Sequence, residues 1–428
     1  MGNGGFYVSK TVFTFEELKS AVEDADTTEI LLGGDITFTG GIPIPSQKKV
    51  LSIDGGGHTV TDRNSSSYSD ALYVPAGAGE KTVTVRNAVW SGRNYYGVVC
   101  VYDDTNNAGV TTVLENITYR GPQMIYNRYG ATVVRDCVVS IEKNGASVSA
   151  QEFCEGNRLT LSGHVSITSA AASSALIWFP FAGSAFTVGA SAVVSVTVPN
   201  SYLFYIDSAA KPKFIFGQNS SVEISVKSGW FYSSGSGAHI ADSFSLETGA
   251  SLTAVSAGGG SVPFFKCAGT FSVAEDASLS FAVPSGTAAL LYFSKAADVR
   301  FENPRHVVLY SGGGKVFSFG SGTTQNPNTV SLSAGQIHLW TQAKTPYATA
   351  GGLNDIPSST FRKESGTVTL RETLTSSAYI AAESNLAEGD TGYPVGVGNA
   401  DLTKTAVLSA GTFPLTADPL TDLSLTVT

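Results

Sequence analysis

Phe186-Thr-Val-Gly189, Phe214-Ile-Phe-Gly217, Phe244-Ser-Leu-Glu247 and Phe271-Ser-Val-Ala274 are one phrase written four times, each copy followed by a second alternating apolar run. The leading Phe returns after 214−186 = 28, 244−214 = 30 and 271−244 = 27 residues. A near-constant period of this size marks a solenoid, in which one supersecondary unit stacks on the next. Within each copy the apolar residues stand two apart, as in Phe214, Phe216, Val222, Ile224 and Val226, so side chains alternate between an inner and an outer face. The links between the two runs, such as Gly217-Gln-Asn-Ser-Ser and Glu275-Asp-Ala-Ser, are turn-forming and too short for a helical crossover. Each coil is therefore expected to hold two or three short strands.

Earlier in the chain, Thr84-Val-Arg-Asn-Ala-Val, Val113-Leu-Glu-Asn-Ile-Thr and Val133-Val-Arg-Asp-Cys-Val align with one another. Stacked coils would place Asn87, Asn116 and Asp136 above one another, bonding along the axis and satisfying buried turn backbone. Their spacings, 116−87 = 29 and 136−116 = 20, predict coils of unequal length, with surplus residues bulging as loops able to carry binding or catalysis.

At 428 residues the chain could hold two or three average domains, but a continuous period overrides that prior. The 46 Gly, 23 Phe and 17 Tyr against 14% charged residues describe a β protein rather than a helical one. A net charge of −9 with no basic cluster argues against nucleic acid. No apolar run is long enough to span a membrane, and Met1-Gly-Asn-Gly-Gly does not read as a signal peptide. Cys100, Cys137, Cys154 and Cys267 show no zinc-type spacing. They read as buried thiols, with a Cys100–Cys137 or Cys137–Cys154 bridge as the alternative.

An open β-solenoid must cover its end strands. Thr14-Phe-Glu-Glu17 is a capping box with Phe13 and Leu18 as a staple, and it predicts a helix over about Phe15 to Glu23 with Phe15, Leu18, Ala21 and Val22 facing the first coil. The strand-like Glu29-Ile-Leu-Leu-Gly-Gly-Asp-Ile-Thr-Phe, then Ile42-Pro-Ile-Pro, then Val50-Leu-Ser-Ile-Asp-Gly-Gly-Gly-His-Thr-Val60 follow. Together with the helix they resemble the start of the pectate-lyase-like adhesive domains of Gram-positive surface proteins. The resemblance is carried by about Val12 to Val60, and by coil pattern alone to about Phe319. It implies a right-handed parallel β-helix on the outside of a cell or particle, usually without catalysis. The period fades from about Asn326, and Asp418-Pro-Leu-Thr-Asp-Leu-Ser-Leu is similar to the opening of bacterial Ig-like repeats.

A lyase on this architecture needs several oxygen ligands converging on calcium and a nearby Arg. Asp103, Asp104, Glu115 and Asp136 with Arg86, Arg93, Arg120 and Arg135 are the available groups, in no lyase-like spacing; Asp103-Asp104 reads as a solvated turn. The five histidines form no ligand pair. Aromatic residues offer more. Trp90, Tyr95, Tyr96, Tyr119, Tyr126, Arg128 and Tyr129 gather rings with Arg and Asn on consecutive coils, a mixture able to stack on sugar faces and bond hydroxyls. A second series, Trp178-Phe-Pro-Phe181, Tyr202-Leu-Phe-Tyr205 and Trp230-Phe-Tyr232, recurs once per coil and reads as a core ladder with Tyr202, Tyr205, Trp230 and Tyr232 as its outward rings.

These readings predict an all-β, right-handed parallel β-helix solenoid with an N-terminal capping helix and a small C-terminal β tail: cap and first coil over 1–60, β-helix over 61–325, tail over 326–428. The expected function is a noncatalytic extracellular or particle-surface bacterial protein that binds glycan or protein, or a copy of itself, without a cofactor or metal. The alternatives are a polysaccharide lyase or hydrolase, a phage or tailocin spike, and a spore-surface component.

Overall fold

In the computed structural model, the sequence period becomes a parallel β-solenoid. The structure describes residues 8–171, 175–227, 229–232, 239–256, 262–283, 288–294 and 297–311, together with the backbone of the strands named below that lie further on. The Ig-like resemblance at Asp418 falls outside the described residues. The chain divides into two compact units, Met1–Thr187 with Val193–Ala210, and Val188–Ala192 with Lys211–Thr428.

The first unit opens on strand Val8–Val12 and helix Phe15–Glu23. Thr14 accepts from the Glu17 amide, and the Glu17 carboxylate accepts from the Thr14 and Phe13 amides, so both halves of the capping box form. Phe15, Leu18, Ala21 and Val22 are buried as the pattern demands. The staple differs: Phe13 is 59% exposed and lies over Gly33, where the missing side chain leaves room for its ring.

Three columns of strands follow, each pairing in parallel. The first comprises Thr27–Leu32, Val50–Asp54 and the opening halves of Lys81–Ser91 and Val110–Gly121. The second runs through Ile36–Thr37, Thr59–Thr61, the closing halves of those two long strands, Val138–Ile141 and His164–Ser169. The third runs through Ile42–Pro43, Leu72–Val74, Val99–Val101, the start of Ile125–Arg135, the start of Cys154–Ser162, Ala175–Phe179 and Tyr202–Ile206.

The corner between the first and second columns repeats one backbone device. Asn87, Asn116, Asp136 and Gly163 all have positive φ, at 54°, 51°, 52° and 63°. Asn, Asp and Gly are the residues that tolerate this region. Asn116 Nδ2 donates to Asn87 Oδ1 at 2.8 Å, and Asn87 Nδ2 reaches Asp54 Oδ1 at 3.0 Å. The expected ladder therefore exists only in part: it links side chain to side chain through Asp54, Asn87 and Asn116 and faces outward, whereas Asp136 accepts from the His164 backbone amide at 2.9 Å.

In the second unit, Lys213–Phe216, Ser243–Leu246, Thr270–Val273, Asp298–Phe301, Asn328–Ser333 and Val368–Thr373 form one parallel column. Ser221–Val226, Ser251–Ser256, Ser278–Val283, His306–Ser311, Gln336–Thr341 and Tyr379–Glu383 form another. Phe265–Cys267, Leu291–Phe293, Phe317–Phe319 and Phe361–Lys363 form a third. Parallel pairing thus continues past the point where the sequence period fades. Phe214, Phe244 and Phe271 stand in register and are fully buried, and the rings of Phe244 and Phe271 stack at 4.4 Å and 10°. The same corner recurs at Ser191, Asn219, Gly249, Asp276 and Asn303. All four cysteines are free and buried.

Candidate functional site

The site grows from the third column of the first unit. Tyr73, Cys100, Tyr126, Glu155, Trp178 and Tyr205 stand opposite one another on successive strands, their neighbours on either side pointing into the core. A solenoid converts one residue per coil into a line, so these six side chains share one outer face.

Loops cover the line. Asp62, buried at 2% exposure, accepts from Trp90 Nε1 at 3.3 Å and from the Arg93 and Asn94 amides, fixing the base of the loop at 92–97. Asn94 closes that loop by accepting from the Tyr96 amide at 2.9 Å. The Tyr95 amide donates to the Ser65 carbonyl at 3.2 Å, joining it to the loop that carries Tyr68. Tyrosine rings then interlock edge to face: Tyr68 with Tyr73 at 5.6 Å and Tyr102 at 4.9 Å, and Tyr96 with Tyr126 at 4.8 Å and Tyr95 at 5.0 Å. Tyr73, Tyr95 and Tyr96 pack over Cys100 and Tyr126. Burial and the nearby Asp103 and Glu155 carboxylates push the Cys100 thiol well above its ordinary range.

Beneath the rings lies an ionic network. Asp103 Oδ2 accepts from Tyr126 Oη at 2.9 Å and from Arg128 Nη1 at 2.7 Å. Arg128 Nε lies 3.1 Å from Glu155 Oε1, while Tyr95 Oη donates to Glu155 Oε2 at 3.3 Å. Burial, opposed by Arg128 and reinforced by Glu152 and Asp103, lifts the Glu155 carboxyl to about 7. The Arg128 guanidinium also sits 5.4 Å from the Trp178 ring and 5.1 Å from the Phe181 ring. Tyr129 stacks on Phe181 at 4.4 Å, and Trp178 meets Tyr205 edge-on at 5.6 Å.

The structure redistributes the expected site residues. Tyr95, Tyr96, Tyr126, Arg128 and Tyr129 do converge. Trp90 and Tyr119 do not: they are 3% and 0% exposed, paired with each other across adjacent coils with their side chains in the interior. Tyr119 donates to the Gln123 carbonyl and its ring fills the space over Gly92 and Gly121. The partners that sequence reasoning missed are Tyr68 and Tyr102, whose loops overhang the column, Tyr73 on the column's own strand Leu72–Val74, and Trp178 with Phe181, which lie beside Arg128. Trp230, expected to point outward, is fully buried.

The acidic groups considered for calcium do not gather. Asp104 caps the short turn Thr105–Gly109 and accepts from the Gly77 amide, Asp103 serves Arg128, and Glu115 faces Arg135 at 3.7 Å. Asp136 occupies the repeated corner. Among the described residues, no group of three or more His, Cys, Asp or Glu side chains is placed to hold a metal ion, and no helix is long and apolar enough to cross a membrane.

Residues 9–126 match the family described as "Putative pectate lyase-like adhesive domain". That adhesive-domain match takes in Tyr68, Tyr73, Tyr95, Tyr96, Tyr102 and Tyr126, the whole tyrosine cluster. Among solved structures the chain is similar to "L. reuteri 53608 SRRP", at 17% identity and a TM-score of 0.49, covering 71% of this chain and 99% of that one. It is also similar to "L. reuters 100-23 SRRP", at 14% identity and a TM-score of 0.44, covering 87% and 98%. No curated protein matches the chain.

Proposed function

We propose that this chain is a noncatalytic surface adhesin of a bacterium that holds glycan against the tyrosine-rich outer face of its third strand column. The observation that carries the reading is the division of labour among the rings. Tyr95 and Tyr126 use their hydroxyls internally, whereas among the described residues the hydroxyls of Tyr68, Tyr73, Tyr96 and Tyr102 have no hydrogen-bond partner. Tyr68 is also 37% exposed at the outer edge of the cluster. Flat rings with free hydroxyls, held rigid by their neighbours, stack on pyranose faces and bond their hydroxyls at little entropic cost. The adhesive-domain match over the same residues supports the reading.

The test scores two quantities together. Protein is mixed with a panel of plant, host and bacterial polysaccharides, with and without calcium, and both retention and new sugar ends are measured. Retention without new ends, lost about tenfold in Tyr68→Ala and Tyr96→Ala while the melting transition holds, is expected. New ends requiring calcium would replace the adhesin with a lyase, and undiminished retention in both variants would move the site elsewhere.

A further inference from the structure

The loops that cross from the second strand column to the third are unequal, and the shortest lies between long ones. Residues 62–71 and 92–98 carry Tyr68, Tyr95 and Tyr96, whereas in the next coil only Pro122, Gln123 and Met124 separate Gly121 from Ile125. The coil after that has the long loop 142–153. With so little chain on the intervening coil, this loop folds back across it: the Glu142 amide donates to the Gly121 carbonyl at 2.9 Å and the Gln151 amide to the Pro122 carbonyl at 2.8 Å. Its tip then reaches both tyrosine loops. Asn144 Nδ2 lies 3.1 Å from Ser91 Oγ, 3.1 Å from the Gly92 carbonyl and 3.0 Å from the Arg120 carbonyl, and the Ser147 amide donates to Asn64 Oδ1 at 2.7 Å. Resting on the glycan-binding reading above, we propose that Asn144 is a positioning residue for the tyrosine face, its amide strapping the ring-bearing loops of two earlier coils into the arrangement that meets the ligand.

The amide stands where the chain leaves the second column. Ser91 and Arg120 are register partners, and the Gly92 amide donates to the Arg120 carbonyl at 2.6 Å as the loop begins. Asn144 donates to that carbonyl and to the carbonyl of Gly92 itself, so it fixes both sides of the point from which Arg93 to Tyr96 extend. Asp62 holds the same segment from the other side through the Arg93 and Asn94 amides. The Tyr68 loop is tied to the strap by Asn64 and to the Tyr95 amide by the Ser65 carbonyl. Three oxygens surround Asn144 Nδ2, and an amide nitrogen with two hydrogens is a group such a cluster accepts. The residue takes a φ of 44°, which Asn, Asp and Gly tolerate. Rings whose loops are ordered before the ligand arrives lose little further freedom on binding.

The experiment combines amide hydrogen exchange of the free protein with affinity for whichever polysaccharide of the panel above the wild type retains. Asn144→Asp keeps the size and the backbone tolerance but sets oxygen against the Gly92 and Arg120 carbonyls, and Asn144→Gly keeps the conformation and deletes the amide. Both should exchange severalfold faster at 62–71 and 92–97 and bind about tenfold more weakly, while Lys81–Ser91 and Val110–Gly121 keep their protection. In the Tyr96→Ala background Asn144→Asp should cost far less than it does alone, because its effect travels through the loop that carries the ring. A residue that supports only the fold would lose the same factor in both backgrounds, and that result would overturn the proposal. Unchanged exchange in both loops, or faster exchange with undiminished retention, would also overturn the positioning role while leaving the glycan reading in place. Retention of no polysaccharide by the wild type would overturn the glycan reading itself, and the role of Asn144 with it.

Discussion

Asp62 shows how a single buried acid can organise the binding face. Burial pushes its carboxyl up to about 7, against the pull of the Arg93 and Asn94 amides and the Trp90 indole. In the unfolded chain the same group titrates near 3.8. Between these values the folded protein keeps a proton that the unfolded chain has released. The associated stability is therefore complete below about pH 4 and declines as pH rises towards 7. Glu155 acts in the same direction, being lifted to about 7 from 4.5. A shift of about three units corresponds to at most ~4 kcal/mol, so the melting temperature should rise by several degrees between pH 8 and pH 5. Asp62→Asn combined with Glu155→Gln should flatten that slope; a slope unchanged in the double variant would show that other groups set it. Alternation could have placed the neighbouring aromatics correctly from sequence: Trp90 stands two residues beyond Ala88 and Tyr119 two beyond Ile117, and all four point inward. The density of rings in those segments obscured that parity. Tyr68 and Tyr102 were harder to find, because loops outside the repeat fold them onto the column, and Tyr73 stands on a strand of only three residues, Leu72–Val74, too short to show alternation.

At the scale of the element, the repeated corner was readable because its backbone chemistry is narrow. Asn, Asp and Gly at one register position announce positive φ, and Asn87, Asn116 and Asp136 adopt it. What the pattern did not reveal was direction: the Asn side chains project to solvent and bond one another. Asn116→Ala would lose both the tolerance for φ of 51° and the amide bond to Asn87. It should cost about 1–2 kcal/mol, most of it conformational since the bond is exposed. Asn116→Gly keeps the conformation and loses only the bond, so it should be the milder of the two. Chemical denaturation of both variants checks this, and an Ala variant as stable as the Gly variant would remove backbone conformation as the reason for the corner. The helix, by contrast, was legible nearly to the residue, because caps and apolar spacing are local signals.

For the molecule as a whole, the phenylalanine period specifies both the fold and how it should fail. Phe271 is fully buried in the second unit, stacked on Phe244 at 4.4 Å and edge-on to Phe293 at 5.5 Å, so it touches the coil before it and its own closing strand. A solenoid's stability is close to a sum of coil and nearest-neighbour terms, since each coil meets only the next. Phe271→Ala should open a cavity costing about 3–5 kcal/mol, and the damage should stay local. Hydrogen exchange should quicken in Ser243–Leu246, Ser251–Ser256, Thr270–Val273 and Asp298–Phe301, while Lys81–Ser91 and Val110–Gly121 keep their protection. Binding to the tyrosine face would then survive in a protein whose second unit is measurably loosened. Uniform loss of protection along the chain would mean that the coils unfold as one cooperative body, and the additive picture would fall.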